Sequence, residues 1–332
     1  MSKKNFNILA ALPQAESRYA RYAWGVLALN FLVVLWGAFV RATGSGAGCG
    51  AHWPTCNGEV VPRATAVETV IEFVHRLTSG AALLAVIGLL VWAWRLYPKE
   101  HPARKGAAYT MLFIITESLL GAGLVLFEWV AEDASVGRVI SMPLHLLNTF
   151  LLLASITLTA WWASGRKAAR MQRGDPRLGW FGAALLAILF LGTSGAITAL
   201  GDTLFPATSL LEGMRQDFSP TAHFLIRLRI WHPVIAVLSG LYLFGLVLKR
   251  ASLRSLRSLG SQHKPEGAER VLGRLLLGLF FLQLLVGAVN VLLLAPVWMQ
   301  LVHLFLADSV WCAFVLYCAA VFAGPATSPE TP

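Results

Sequence analysis

Eight long apolar runs restrict the fold of this chain more than any other feature of its sequence. They lie near residues 20–40, 67–95, 107–127, 141–163, 178–200, 223–248, 271–294 and 296–322. A run of about 20 apolar residues is long enough to cross a bilayer as an α-helix. The first run is too long for the apolar core of a signal peptide, so we expect it to be retained. We therefore predict an all-α integral membrane protein with eight transmembrane helices.

The composition excludes a soluble protein of this length and explains the basic charge. Hydrophobic residues make up 57% of the chain and charged residues only 13%, with a net charge of +10. Twenty of the 27 Lys and Arg residues lie in the N-terminal segment, in the connections after the second, fourth and sixth runs, or at the adjoining ends of the runs. The positive-inside rule then predicts both termini in the cytoplasm and a place in the cytoplasmic membrane. Because this bias accounts for the charge, we do not expect nucleic acid as a partner.

The two halves of the chain repeat one another at matching positions in their apolar runs. The matched residues are Gly37 with Gly195, His75 with His232, Gly121 with Gly287, and His145 with His303. Since each half has an even number of helices, the halves share an orientation and are related by an axis along the membrane normal. We predict two four-helix bundles with pseudo-two-fold symmetry, 1–165 and 166–323, and a disordered tail, 324–332.

Four histidines lie within the even-numbered runs, a few residues from the outward ends. They are His75, His145, His232 and His303. An imidazole in hydrocarbon is costly unless it is ligated or hydrogen bonded. A single histidine is explained equally well by a hydrogen bond to a neighbouring helix. Four histidines at repeated positions favour ligation of a metal. Two facing imidazoles per bundle are the arrangement that holds a heme.

The ligand set favours heme over other metal centres. Zinc or copper sites use three or more converging ligands, often with thiolates or carboxylates among them. The sequence contains no Cys-x-x-Cys-His motif, so covalent attachment of the c type is excluded. We therefore predict two hemes that are bound without covalent links.

The turn before His75 distinguishes the first half from the second. Helical spacing places Glu72, His75 and Arg76 on one stripe. One interpretation is an ion pair between residues four apart. The other is that Glu72 faces the heme edge as a proton acceptor while Arg76 meets a propionate. Aligned on the histidines, the second half has Arg229 and Pro233 at these positions, so we expect the amino-terminal bundle to be the reactive one.

The first outward connection contains a glycine-rich segment, 41–58, with two cysteines. Cys49 and Cys56 face the oxidising side, where disulfides form and persist. Three alternatives stay open for them: a structural disulfide, a redox-active pair, and a metal site that includes His52.

These motifs resemble those of the heme A synthase family over all eight runs. The resemblance rests on Arg41-Ala-Thr-Gly-Ser-Gly, Cys49 and Cys56 with Trp53-Pro54 between them, Glu72-x-x-His75-Arg76, His145, His232 and His303. Some members of the family carry a second cysteine pair in the outward loop between the fifth and sixth helices. Residues 201–222 contain none, so we expect no redox role for this loop.

The resemblance implies a reaction and a division of labour between the halves. Family members oxidise the C8 methyl group of heme O to a formyl group, through a hydroxymethyl intermediate, and so make heme A for cytochrome oxidase. By resemblance, His232 and His303 hold heme b, His75 and His145 belong to the substrate half, and Glu72 is tied to catalysis. Heme O synthase, cytochrome oxidase and an unidentified electron donor are the implied partners.

The coordination chemistry leaves two routes open. An iron with histidine at both axial positions has no place for dioxygen. Either His75 or His145 leaves during turnover, or water attacks the oxidised methyl carbon with Glu72 as the base.

Two other functions compete with the synthase interpretation. A di-heme b-type membrane cytochrome that carries electrons from quinol explains the four histidines equally well, but not the Glu72 asymmetry or the cysteine loop. A heme transporter or chaperone predicts ligands toward both membrane faces, whereas all four histidines lie toward one.

Overall fold

The computed structural model describes residues 3–63, 66–258 and 267–323. Within these ranges the regular secondary structure is helical, apart from one antiparallel bridge between Cys56 and Glu59. The α-helices are α1 (Lys3–Ala42), α2 (Val67–Leu96), α3 (Pro102–Leu126), α4 (Val136–Ala163), α5 (Pro176–Leu204), α6 (Leu210–Asp217), α7 (Phe224–Leu228), α8 (Trp231–Ser258), α9 (Gly267–Leu292) and α10 (Val297–Phe322). The all-α prediction is confirmed.

Eight helical segments are long and apolar enough to cross a membrane, which confirms the predicted number. They are Gln14–Ala42, Val67–Leu96, Pro102–Leu126, Val136–Ala163, Pro176–Leu204, Phe224–Ser252, Gly267–Leu292 and Val297–Phe322. Many large apolar side chains lie exposed on the surfaces of these helices. Leu32, Leu84 and Leu186 are examples, and each is more than 60% exposed. Such surfaces are suited to lipid. The chain is a multi-pass membrane protein.

Two helices continue beyond their predicted ends. α5 extends to Leu204, into the segment predicted as outward loop, and α8 extends to Ser258, ten residues past the predicted end at 248. Between Gly245 and Gly260 the sequence has neither glycine nor proline and is rich in Leu, Lys and Arg. These residues favour helix, so the basic segment continues α8. The predicted tail, 324–332, lies outside the described residues.

The sixth span is interrupted where the sequence predicted a continuous helix. α7 ends at Leu228 and α8 begins at Trp231. Pro233 has no N–H and cannot bond to the carbonyl of Arg229, as a continuous helix would require. The N–H of His232 bonds to that carbonyl instead, at 3.3 Å. His232 therefore lies in the first turn of α8.

The chain divides into two compact units. The first comprises Met1–Asp133 and Asn148–Ala168, and the second Ala134–Leu147 and Ala169–Pro332. In the first, α1 packs against α2 and α2 against α3. In the second, α5 packs against α8, α8 against α9, α9 against α10, and α10 against α5, which closes a four-helix arrangement. The boundary at 165/166 and the symmetry axis stay predictions.

Candidate functional site

The ring of His75 has its space against α1 because residue 37 is glycine. His75 lies in the third turn of α2. A Cβ atom on Gly37 would lie 2.9 Å from His75 Cε1 and 3.1 Å from Nε2. Since close-packed atoms do not approach so near, any larger residue would displace the imidazole. The glycine of the repeat thus makes room for the histidine of the neighbouring helix.

His232 has a similar glycine contact in the second unit and a polar neighbour at Nδ1. A Cβ atom on Gly195 would lie 3.0 Å from His232 Cε1. Ser194 Oγ lies 3.0 Å from His232 Nδ1 and donates its hydrogen to the carbonyl of Leu191 at 2.8 Å. In the tautomer that carries the hydrogen on Nδ1, Ser194 Oγ accepts from Nδ1–H. The lone pair of His232 Nε2 is then available for a metal ion.

His303 completes the set in the second unit. A Cβ atom on Gly287 of α9 would lie 2.9 Å from His303 Cε1. Gln283, one turn earlier in α9, places its Nε2 3.3 Å from His303 Nε2. Within the described ranges, His303 Nδ1 is buried and has no hydrogen-bond partner. A buried imidazole with an unsatisfied nitrogen favours a ligand for this ring.

The rings of His232 and His303 are spaced to hold one metal ion between them. Their centroids are 6.3 Å apart and their planes are nearly perpendicular, at 88°. Two imidazoles on opposite sides of a metal ion, each with its nitrogen about 2 Å away, have centroids about 6 Å apart. The spacing of the two rings therefore fits a pair of histidine ligands to one heme iron.

His145 lies in α4, two residues after Pro143. It falls in the second compact unit and His75 in the first. The predicted pairing of His75 with His145 stays a prediction.

Glu72 is buried, with 3% of its surface exposed, and both of its carboxylate oxygens accept hydrogen bonds. Oε1 pairs with Arg76 Nη2 at 2.5 Å and Nε at 3.1 Å. Oε2 accepts from the N–H of Cys49 at 2.8 Å. The ion pair between residues four apart is therefore present. The carboxylate also fastens the cysteine loop to α2.

Arg76 holds the same loop through two carbonyl groups. Its Nη1 donates to the carbonyls of His52 at 2.6 Å and Thr55 at 2.5 Å. Four of the five N–H donors of this guanidinium are thus engaged with protein atoms, and one Nη2–H is left. The predicted contact with a propionate stays a prediction for this remaining donor.

The cysteine loop is closed by a disulfide and packs closely on α2. Cys49 and Cys56 are bonded to each other, so their sulfurs are not thiolate ligands for a metal beside His52. A Cβ atom on Gly48 would lie 2.5 Å from the backbone of Glu68. Thr69 Oγ1 donates to the carbonyl of Gly48 at 2.8 Å. Only glycine at position 48 therefore permits the backbone of the loop to approach the backbone of α2 so closely.

In the second half a cation replaces Glu72. Arg229 is 9% exposed and forms ion pairs with Asp202 at 3.1 Å and Asp217 at 2.9 Å. It also donates to the carbonyl of Phe205 at 3.3 Å. Arg229 thus fastens the end of α5 and the end of α6 to the turn that precedes His232.

Three polar residues of the spans were not singled out from the sequence. They are Ser194 and Gln283, which contact histidines, and Glu117, which bonds to Asn148 and Thr149. Their polarity within apolar runs could have identified them. Glu117 and Gln283 also each lie four residues before a repeated glycine. Within the described ranges, no group of three or more His, Cys, Asp or Glu residues is placed to hold a metal ion.

In this helical membrane protein, histidines lie against glycines of adjacent helices, and two of the histidines are spaced for one metal ion. This arrangement is typical of the class of membrane heme proteins. The comparison with known sequences is more specific. The chain belongs to the COX15-CtaA family of cytochrome oxidase assembly proteins, whose sequence model matches residues 20–315.

Several curated relatives are similar to the chain. A Thermus thermophilus protein named protoheme IX farnesyltransferase is 55% identical over 302 residues, which cover 91% of this chain and 48% of that protein. The heme A synthase of Halalkalibacterium halodurans is 48% identical over 96 residues, 29% of this chain and 32% of that protein. The heme A synthase of Bacillus mycoides is 40% identical over 111 residues, which cover 33% of this chain and 36% of that protein. The chain spans about half the length of the Thermus relative.

Proposed function

We propose that this protein is a heme A synthase, which oxidises the C8 methyl group of heme O to a formyl group by way of a hydroxymethyl compound. The observation that carries the proposal is family membership over residues 20–315, together with relatives named heme A synthase. The arrangement of His232 and His303 supports it, because their centroid spacing of 6.3 Å suits a heme iron.

In this proposal His232 and His303 would hold heme b in the carboxyl-terminal half. Ser194 supports the assignment because its Oγ can accept from His232 Nδ1–H, in the tautomer that leaves a lone pair on Nε2. Gly195 and Gly287 support it because they give both rings their space. Without a Cys-x-x-Cys-His motif, the heme is held by ligation and packing alone.

The amino-terminal half takes heme O as substrate, with His75 and His145 at its iron and Glu72 as the proton acceptor. The bound heme supplies the redox chemistry. The carboxylate of Glu72 keeps unused lone pairs beside its bonds to Arg76 and Cys49, and a carboxylate oxygen can accept more than one hydrogen bond. The remaining N–H of Arg76 would donate to a propionate of the substrate.

The proposed partners are a heme O synthase, cytochrome oxidase and an electron donor. The Thermus relative supports heme O synthase as a partner. It is named protoheme IX farnesyltransferase, and because the match to this chain covers only 48% of its length, the rest of that protein is left for a second activity. The proposed location is the cytoplasmic membrane with both termini inside. The distribution of basic residues supports this orientation.

Extraction of hemes tests the proposed function. The chain is expressed in a host that lacks heme A, with and without a heme O supply, and the extracted hemes are separated by chromatography. We expect heme A or its hydroxymethyl precursor only when heme O is present, together with heme B in both cultures. Heme B alone in both cultures would contradict synthase activity and favour an electron-carrying cytochrome.

A further inference from the structure

Glu117 is a carboxylate within the membrane-spanning helix α3 that bonds to two side chains of α4. Its Oε2 accepts from Asn148 Nδ2 at 2.6 Å, and its Oε1 accepts from Thr149 Oγ1. Ionisable residues within a membrane span are costly and are usually retained for function. Glu117 is not part of the proposed function above.

The neighbours of Glu117 fix the direction of the amide that it contacts. Thr116 Oγ1 lies 2.6 Å from Asn148 Oδ1 and donates to it. The other amide hydrogen of Asn148 is donated to the carbonyl of Phe113 at 2.9 Å. Both hydrogens of the amide are therefore assigned, one of them to Glu117. The two oxygens of the carboxylate face donors on α4.

Glu117 and His145 lie the same number of residues from the ends of α3 and α4 that adjoin their connection. Glu117 lies nine residues before the end of α3 at Leu126, and His145 lies nine residues after the start of α4 at Val136. At a rise of 1.5 Å per residue, each is about 14 Å from its helix end. Asn148 and Thr149 follow His145 by three and four residues, which is one turn along the same face.

The second half has a different residue at each of the three positions of Glu117, Asn148 and Thr149. The offset between Gly121 and Gly287 is 166 residues, and it matches Glu117 with Gln283. The offset of 158 between His145 and His303 matches Asn148 with Leu306 and Thr149 with Ala307. The acid and both of its hydrogen-bond donors therefore differ together from their counterparts, as expected of one functional unit.

We propose that Glu117 is a positioning residue of the amino-terminal site. Through Asn148 and Thr149 it fixes the turn of α4 that carries His145, and it brings a carboxylate into the half that takes the substrate heme. This inference rests on the proposed function. It adds a residue on α3 to the ligands on α2 and α4.

The test uses the purified full-length protein with both hemes bound. Glu117→Gln removes the charge and keeps the volume. We expect both hemes to be retained, the midpoint potential of the amino-terminal heme to rise, and that of the carboxyl-terminal heme to stay unchanged. The potential rises because a nearby anion favours the ferric state. We expect kcat to fall by about 10- to 100-fold with little change in KM, since small displacements of a ligand are costly to rate.

Two further variants separate positioning from helix packing. Thr110→Val removes the hydrogen bond from Thr110 to Ser155, which joins the same two helices seven residues away, and should leave potential and kcat unchanged. Thr149→Ala, which copies the second half, should lower kcat in the same direction as Glu117→Gln.

The outcomes distinguish this inference from the proposed function. Wild-type potentials and kcat in Glu117→Gln, or equal losses in Thr110→Val, would overturn the positioning role while wild-type heme A production still stands. If the wild type makes no heme A, the proposed function fails. The potential of the amino-terminal heme in Glu117→Gln then still reports whether Glu117 acts on that site.

Discussion

The turns that precede His75 and His232 share a scaffold and carry opposite charges. In both, the imidazole lies against a glycine of the preceding span, Gly37 or Gly195. Three residues before the histidine, the first half has the buried anion Glu72 and the second the buried cation Arg229. Each charged group joins other segments to its turn: Glu72 holds the loop at Cys49, and Arg229 holds the ends of α5 and α6. The repeat has therefore kept the space for a ring while its chemistry has diverged.

The largest effect is expected from removal of the second-half ligands. His232→Ala combined with His303→Ala should abolish heme binding in that half and all conversion of heme O, because no other ligand replaces the pair. The heme content per protein, measured by pyridine hemochrome, should fall by about half. An unchanged Soret band in the double variant would show that these imidazoles do not bind heme.

The charge difference itself is tested by Glu72→Gln. We expect both hemes to stay bound and the conversion rate to fall by about 10²- to 10⁴-fold, the usual contribution of a general base. Asp202→Asn, which removes a partner of Arg229 in the other half, is the control and should stay active. Full activity in Glu72→Gln would remove Glu72 from the mechanism.

The shared scaffold is tested by Gly37→Ala. The added methyl group would lie 2.9 Å from the ring of His75, so we expect partial loss of heme from the first half and a shifted Soret maximum. Gly25→Ala in the same helix places its methyl group in open space and is the matched control. Equal spectra for the two variants would show that the glycine does not position the histidine.

The smallest effect is expected from Arg229→Gln. It removes the ion pairs to Asp202 and Asp217, which should destabilise the protein by less than the roughly 3–5 kcal/mol of a fully buried pair, because both carboxylates are partly exposed. We expect a lower Tm in detergent, with both hemes still bound. Arg215→Gln on the exposed side of α6 is the control for lost charge. A Tm equal to that of the control would mean that the ion pairs of Arg229 contribute little.

Local sequence properties determined the helices, the histidines and the repeat. Run length and apolar composition predict a span because the bilayer requires every backbone group to be satisfied within its own helix. His75, His145, His232 and His303 stood out for the same reason, as costly groups in hydrocarbon. The interruption before His232 could have been found from Pro233, since the missing N–H is a local property.

Only the tertiary structure decided what these residues contact. Spacing along the chain brought Glu72 to Arg76, but not to the N–H of Cys49, 23 residues away. Nor did it show that Arg229 forms ion pairs with Asp202 and Asp217, or that Ser194 contacts His232 Nδ1. Helical periodicity gives the face of each residue, whereas partners depend on how separate helices and loops pack, which no single segment encodes.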